Sequence, residues 1–292
     1  MSNATKSRRA LIDAGAAQLA AGPHPEFARR EAEELLLHVL RKEARERNRA
    51  WLFANLLLPI SAPLEEEFLA LVARRVTGEP IQYITGETEF YRLPFRVSPD
   101  VLIPRPETEH LIEKVLELAP LFPKPRILDV GTGSGAIAVT LAHEWPHAIV
   151  TATDLSEAAL EVARKNAHRA WFAERIRFLQ GDLVGPVAGE TFEFVVSNPP
   201  YVPTTDRDSL AVEVRDHEPA LALFAGEDGL DIYRRLIPAA YPLLAPGGFL
   251  VLEIGQGQSE AVGTLLKNTG FGQIEFVPDL QGIPRVACGR RD

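Results

Sequence analysis

The sequence predicts an α/β protein: a mainly parallel β-sheet with an antiparallel last strand, covered by helices on both faces and preceded by an N-terminal helical bundle. Three observations carry this reading. Helix-spaced apolar residues fill the first 77 positions, helical and strand patterns alternate from residue 107 onward, and the last two strand patterns are too closely joined for a crossover helix.

In the first region, Leu64, Phe68, Leu71 and Val72 recur at the spacing of one helix face. The run from Leu35 to Leu40 is apolar almost all round, which suits a central helix, and His38 within it reads as a core or boundary histidine. Thr77-Gly78-Glu79-Pro80 ends the helical pattern and is expected to open an extended segment. Phe90, Tyr91, Leu93, Phe95 and Val97, broken by Pro94, read as a short hairpin linking two domains. The expected organisation is therefore a helical domain over 1–77, a linker with a β-hairpin over 78–103, and an α/β domain over 104–292.

Within that last domain the pattern gives a helix near 107–119, a strand at 126–130, a helix from Gly135, a strand at 148–153 and a helix near 156–169. Strands around 176–180 and 192–197, a helix near 229–243 and a strand at 249–254 follow. Strands near 273–277 and 284–289 close the chain and should pair antiparallel.

With 292 residues, 46% apolar and 24% charged, the chain can bury a substantial core. No apolar run approaches a bilayer span, and a cytoplasmic monomer is expected. A single cysteine, Cys288, excludes an intramolecular disulfide and a cysteine-based zinc cluster, and it reads as a buried strand residue; no metal site is expected. The formal net charge of −9 argues against broad attraction to nucleic acid or an anionic membrane. Residues 1–50 run against this trend, with ten Lys/Arg to seven Asp/Glu, but acids interspersed among the bases favour ordinary solvated helix faces.

Asp129-Val130-Gly131-Thr132-Gly133-Ser134-Gly135 follows a predicted buried strand and opens a helix, so its glycines let backbone pass close to a ligand. Asp154 ends the next strand, where its carboxylate can accept both hydroxyls of a ribose. The loop alone also satisfies the dinucleotide pattern, leaving a nicotinamide cofactor open. Two features favour S-adenosylmethionine: Asp182 and Leu183, after the third strand, can accept from an adenine amine and pack on its ring, and an antiparallel final pair is unlike the all-parallel dinucleotide fold.

Ser197-Asn198-Pro199-Pro200-Tyr201 follows the strand at 192–197, at the carboxyl end where open α/β sheets place ligands. A planar amide or exocyclic amine nitrogen has a delocalised lone pair and is a poor nucleophile, so a site that methylates it must orient it. Asn198 can accept one N–H through its side-chain oxygen and the Pro199 carbonyl the other, with the Pro199 and Pro200 rings fixing the backbone. Tyr201 is expected to stack on the flat substrate group. Catalysis would then be mostly positioning and electrostatics.

On these residues the chain resembles the protein-glutamine methyltransferases of peptide chain release factors, the HemK or PrmC family. The resemblance spans nearly the whole sequence through Glu79-Pro80-Ile81-Gln82-Tyr83-Ile84-Thr85-Gly86, Ile103-Pro104-Arg105-Pro106-Glu107-Thr108-Glu109, the glycine loop, Asn198-Pro199-Pro200-Tyr201, His217-Glu218-Pro219-Ala220-Leu221 and Gly226-Glu227-Asp228-Gly229-Leu230. It implies a Rossmann-like S-adenosylmethionine-dependent methyltransferase fold, contact of Gly131, Gly133, Gly135, Asp154 and Asn198 with cofactor or substrate, and an N-terminal domain that helps hold the release factor. The substrate would be the glutamine of the Gly-Gly-Gln motif, with a ribosomal-protein glutamine or a nucleic-acid adenine as alternatives. Arg105, Glu107, Glu109, Glu218 and Glu253 have either a pocket-ordering or a salt-bridging role. Pro284 before Arg285 departs slightly from the family's usual ending.

Overall fold

A computed structural model describes residues 6–292 and divides the chain into two compact units, Met1–Gly86 with Ala211–His217, and Glu87–Leu210 with Glu218–Asp292. The first unit holds α1 (Arg8–Leu19), α2 (Ala28–Arg41), α3 (Arg49–Ala54), α4 (Ala62–Val76) and α5 (Ile81–Thr85). Local chemistry sets their starts: Ser7 Oγ accepts from the Ala10 amide at 3.3 Å and Asn48 Oδ1 from the Trp51 amide at 2.9 Å, each satisfying an orphan N–H of a first turn. As the sequence predicts, α2 is central, with Leu35, Leu36, Leu37, Val39 and Leu40 buried and His38 at the boundary. Gly15 lets α1 approach α4, since a β-carbon there would lie 2.6 Å from the Phe68 ring.

One cluster of three charged groups crosses this core. Arg75 is 2% exposed and grips Glu31 through two bonds of 2.8 and 2.9 Å, with Glu213 at 2.6 Å. A buried guanidinium of this kind is tolerable only because carboxylates face it. The segment after Gly78 is not extended as expected. Pro80 starts α5 instead, because Ile81 and Ile84 have a core to enter, and Gly86 ends it in the left-handed conformation at φ +77°.

The second unit opens with a hairpin, β1 (Glu87–Phe90) and β2 (Leu93–Arg96). Its two-residue turn places Tyr91 and Arg92 at φ +48° and +62°, strained for side-chain-bearing residues, and Glu109 Oε1 braces it by accepting from the Tyr91 amide at 2.9 Å. The hairpin is not a free linker. Asn166, 1% exposed, accepts from the Arg96 amide at 2.7 Å and donates to the Arg96 carbonyl at 3.0 Å and the Ser134 carbonyl at 2.8 Å, tying β2 to the glycine loop.

The chain continues through α6 (Glu109–Leu118), β3 (Arg126–Val130), α7 (Ala136–Glu144), β4 (Ile149–Asp154), α8 (Glu157–Arg169), β5 (Ile176–Gln180) and β6 (Phe192–Ser197). Then come α9 (Val212–His217, in the first unit), α10 (Ala220–Leu223), α11 (Asp231–Ala240), β7 (Leu244–Glu253), α12 (Ser259–Thr269), β8 (Phe271–Pro278) and β9 (Pro284–Arg291). The seven-stranded sheet has the order β5-β4-β3-β6-β7-β9-β8, parallel from β5 to β7 and antiparallel at β7–β9 and β9–β8. β8 and β9 pair as predicted, with β9 inserted between β7 and β8. β7 starts earlier than its apolar run because Pro246-Gly247-Gly248 are absorbed in an irregularity against β6.

Alternate residues serve opposite faces of the sheet: Ile127, Phe194, Val196 and Val251 pack with α6 and α7, and Leu128, Val130, Val195 and Leu252 with α11 and α12. Burial on both faces explains the nearly continuous apolar strands. Cys288 on β9 is 2% exposed, and burial pushes its thiol up to about 12. Strand order reverses around β3, so a crevice opens at the carboxyl ends of β3, β4 and β6.

Candidate active site

That crevice is a cleft lined by Gly131, Thr132, Gly133, Ser134, Asp154, Asp182, Leu183, Asn198, Pro199 and Pro200, so the two sequence motifs meet in one place. Thr108, Arg105 and the segment Asp100–Leu102 add a rim.

The glycine-loop wall is backbone held in shape by two acidic side chains. Gly131 and Gly133 adopt φ +70° and +54°, and a β-carbon on either would meet nothing within 4 Å, so both present bare backbone to open cleft. Their neighbours fix them: the amides of Gly131 and Thr132 donate to the Thr153 carbonyl at 2.9 and 3.0 Å. Asp129 is fully buried and accepts from Thr132 Oγ1 at 2.6 Å and the Ala138 amide at 3.1 Å, while its Oδ1 has no partner; burial pushes its carboxyl up to about 7. Asp154 accepts from the Gly133 amide at 2.8 Å and the Ser156 amide at 2.9 Å, and burial raises its pKa above the ordinary range. Each of its oxygens keeps lone-pair capacity for a ribose hydroxyl.

Gly135 is not at the cleft. Its φ of +81° starts α7, and a β-carbon there would come within 3.1 Å of Ala163, so this glycine serves the packing of α7 on α8. Leu183 does line the cleft, at φ +49°, with its carbonyl accepting from Thr153 Oγ1 at 2.9 Å. Asp182 also lines it, but Arg235 already holds one of its oxygens.

The opposite wall is made of side chains. Ser197 donates to the Val130 carbonyl at 2.6 Å and locks the end of β6 to β3. Next to it, Asn198 Nδ2 donates to Thr108 Oγ1 at 3.0 Å, and Thr108 Oγ1 donates to Glu253 Oε2 at 2.6 Å. With its amino end engaged, the Asn198 amide oxygen is the atom left to meet a ligand. Tyr201 departs from the expected stacking role: it lies outside the cleft lining, its ring packs on the β7–α11 core, and its hydroxyl donates to Glu253 Oε1 at 3.2 Å. Burial, then the Glu253 charge, raises the Tyr201 phenol well above its ordinary range, so it is a proton donor here.

Of the residues whose roles the sequence left open, Arg105 pairs with Glu218 through bonds of 2.6 and 2.7 Å at the cleft rim. Glu109 braces the hairpin turn and Glu107 is half-buried, whereas Glu253 is 1% exposed, with burial pushing its carboxyl up to about 7. Thr108 and Asp129 were not predicted as site residues. The only sequence signal for either was its place inside a quoted motif.

The cleft can hold a nucleoside-bearing ligand along the glycine loop and a planar amide against Asn198 and Pro199. Comparison with known proteins fixes the family. The chain is 44% identical over 269 residues to the release factor glutamine methyltransferase of Geobacter sulfurreducens, covering 91% of this chain and 90% of that one. It is 46% identical over 245 residues to that of Koribacter versatilis, covering 84% and 86%. The chain belongs to the release factor glutamine methyltransferase family. Consistently, residues 10–86 match the PrmC N-terminal domain and residues 107–215 the methyltransferase small domain. In fold, this family member is similar to the hMettl16 catalytic domain solved with a MAT2A 3′UTR hairpin, at TM-score 0.55 and 16% identity over 78% of this chain and 82% of that one. A methyltransferase from Pyrococcus furiosus gives TM-score 0.50 and 20% identity over 69% and 90%.

Proposed function

We propose that this enzyme transfers a methyl group from S-adenosylmethionine to the side-chain amide nitrogen of the glutamine in the Gly-Gly-Gln motif of peptide chain release factors. The observation that carries the reading is the placement of an oriented amide acceptor, Asn198, across one cleft from the bare backbone of Gly131 and Gly133. S-adenosylmethionine supplies the electrophile, a methyl carbon on a sulfonium sulfur. Open space over the two glycines and the Asp154 carboxylate at the end of β4 fit its nucleoside; Leu183 fits the adenine face, and Asp182 fits the adenine amine with the oxygen that Arg235 leaves free.

The chain's own residues then position and desolvate. Asn198 Oδ1 accepts one hydrogen of the substrate amide and the Pro199 carbonyl the other, which turns the nitrogen's π face toward the cofactor wall; once methylated, the nitrogen gives up one of these hydrogens as a proton to solvent. Pro199 and Pro200 stiffen the backbone that aims this carbonyl. The helical unit, over residues 1–77 as read from sequence, contributes the docking of the protein substrate, and the enzyme acts as a cytoplasmic monomer without nucleic acid or membrane as partner. Among the described residues no helix is long and apolar enough to cross a membrane.

Incubation with methyl-labelled S-adenosylmethionine and either native release factor, a release factor with the motif glutamine changed to alanine, ribosomal protein, or DNA tests the reading. Label should enter only the native factor. Label in DNA or in the glutamine-free factor would overturn it.

A further inference from the structure

We propose that Glu253 and Thr108 are positioning residues that fix which end of the Asn198 amide faces the cleft. The proposal rests on the reading of Asn198 as the acceptor for the substrate amide. An asparagine amide has two ends of nearly the same shape and opposite hydrogen-bonding sense, and only the oxygen can accept an N–H from the substrate. Something must choose between them.

The choice follows from counting protons along the chain of bonds. An ionised Glu253 carboxylate can only accept. Thr108 has one hydroxyl proton and gives it to Glu253 Oε2 at 2.6 Å, so toward its other neighbour Thr108 offers only a lone pair. The Asn198 group 3.0 Å away must therefore be the NH2 end, and the oxygen is left for the cleft. Burial keeps water from scrambling the order, since Thr108 and Glu253 are 4% and 1% exposed. The β-branched threonine also holds its hydroxyl in few rotamers.

Glu253 is itself held from three sides. Tyr201 donates to Oε1 at 3.2 Å and Tyr233 to the Glu253 backbone carbonyl at 2.8 Å, and its β7 position pairs with Val286 of β9. Tyr201 thus reaches the same carboxylate as Asn198, which accounts for the tyrosine of the motif without a substrate contact. The charged groups facing Glu253 are Glu107, which opposes ionisation, and Arg285, which favours it. With burial pushing the carboxyl up to about 7, acidification protonates it within an accessible range. A protonated Glu253 can donate to Thr108, which can then donate to Asn198 Oδ1 and turn the amide the wrong way round. Turnover should therefore rise with pH through a limb near neutrality that depends on Thr108.

The test compares Thr108→Val, Thr108→Ser, Asn198→Ala and the Thr108→Val/Asn198→Ala double variant in methylation of release factor. Thr108→Val keeps the side-chain volume and removes the relay proton, and should lower kcat about a hundredfold while changing KM for release factor and cofactor affinity by less than about threefold. Thr108→Ser should recover most of the turnover together with the pH limb, and the double variant should be no slower than Asn198→Ala alone. Equal melting temperatures with bound S-adenosylhomocysteine establish that the variants are folded; should Thr108→Val unfold, Thr108→Ala, alone and combined with Asn198→Ala, removes the same hydroxyl and gives the same decision. Full kcat in Thr108→Val, or losses that multiply in the double variant, would overturn the relay while leaving Asn198 in its role. Full kcat in Asn198→Ala would overturn both.

Discussion

The two walls of the cleft are built by opposite means. The glycine-loop wall is backbone: residues 129–135 include left-handed turns at Gly131, Gly133 and Gly135, braced by Asp129 on the Thr132 hydroxyl and the Ala138 amide and by Asp154 on the Gly133 amide. On the opposite wall the side chains of Asn198 and Thr108 reach the cleft and are backed by Glu253 and Tyr201 behind it, the four forming one hydrogen-bonded chain. A backbone wall accommodates a nucleoside by shape and is insensitive to most side chains. A side-chain wall sets hydrogen-bond polarity at one reacting nitrogen and fails when a single link is lost.

This contrast should separate binding from turnover. Asn198→Ala is expected to have the largest effect, lowering kcat by roughly two to three orders of magnitude while cofactor affinity survives, by analogy with deleting one oriented polar group elsewhere. Single-turnover methylation and calorimetric titration of cofactor measure the two quantities, and a parallel loss in both would erase the distinction between the walls. Gly133→Val should do the reverse. At φ +54° a β-branched residue is strained by about 1–2 kcal/mol and its side chain enters the ligand space, so cofactor affinity should fall roughly tenfold or more, with kcat at saturation within severalfold. An unchanged dissociation constant would show that the ligand does not approach this backbone.

The smallest effect concerns stability. Asp129 holds a proton in the folded protein that the unfolded chain releases, because burial raises its pKa from 3.8 to about 7. Its contribution is therefore complete below about pH 4 and is lost as pH rises toward 7, with a slope of at most about 1.4 kcal/mol per pH unit. In Asp129→Asn the fall in stability across that window should be shallower in denaturant unfolding series. An identical slope would mean that Asp129 is ionised and satisfied in the folded state.

How far each wall was legible in the sequence follows from the same contrast. The glycine loop, the strands at 126–130 and 192–197 and the antiparallel ending carry their signals in adjacent residues, so periodicity and turn chemistry reach them. The relay does not, because its central bond joins Thr108 to Glu253 across 145 positions and nothing in either neighbourhood announces the other. Arg105 and Glu218, 113 positions apart, are the same case. The place of its motif predicts a stacking role for Tyr201, but the apolar core beneath β7 takes the ring and a buried carboxylate takes the hydroxyl. The motif groups three glycines as ligand contacts, whereas Gly135 answers to helix packing. Gly78 and Pro80 mark the end of one helix in the sequence, but Pro80 also caps the start of the next.

The interior placement of Cys288 gives the molecule a built-in clock. As the sole thiol, buried among Leu111, Ile112 and Val115 of α6 and disfavoured as a thiolate, it reacts with an electrophilic reagent only when the packing of α6 on β9 opens. The labelling rate of the unmodified enzyme therefore meters the opening of that face of the sheet, and a cysteine engineered on the outer surface would carry a fluorophore with no competing site while the fold stays closed.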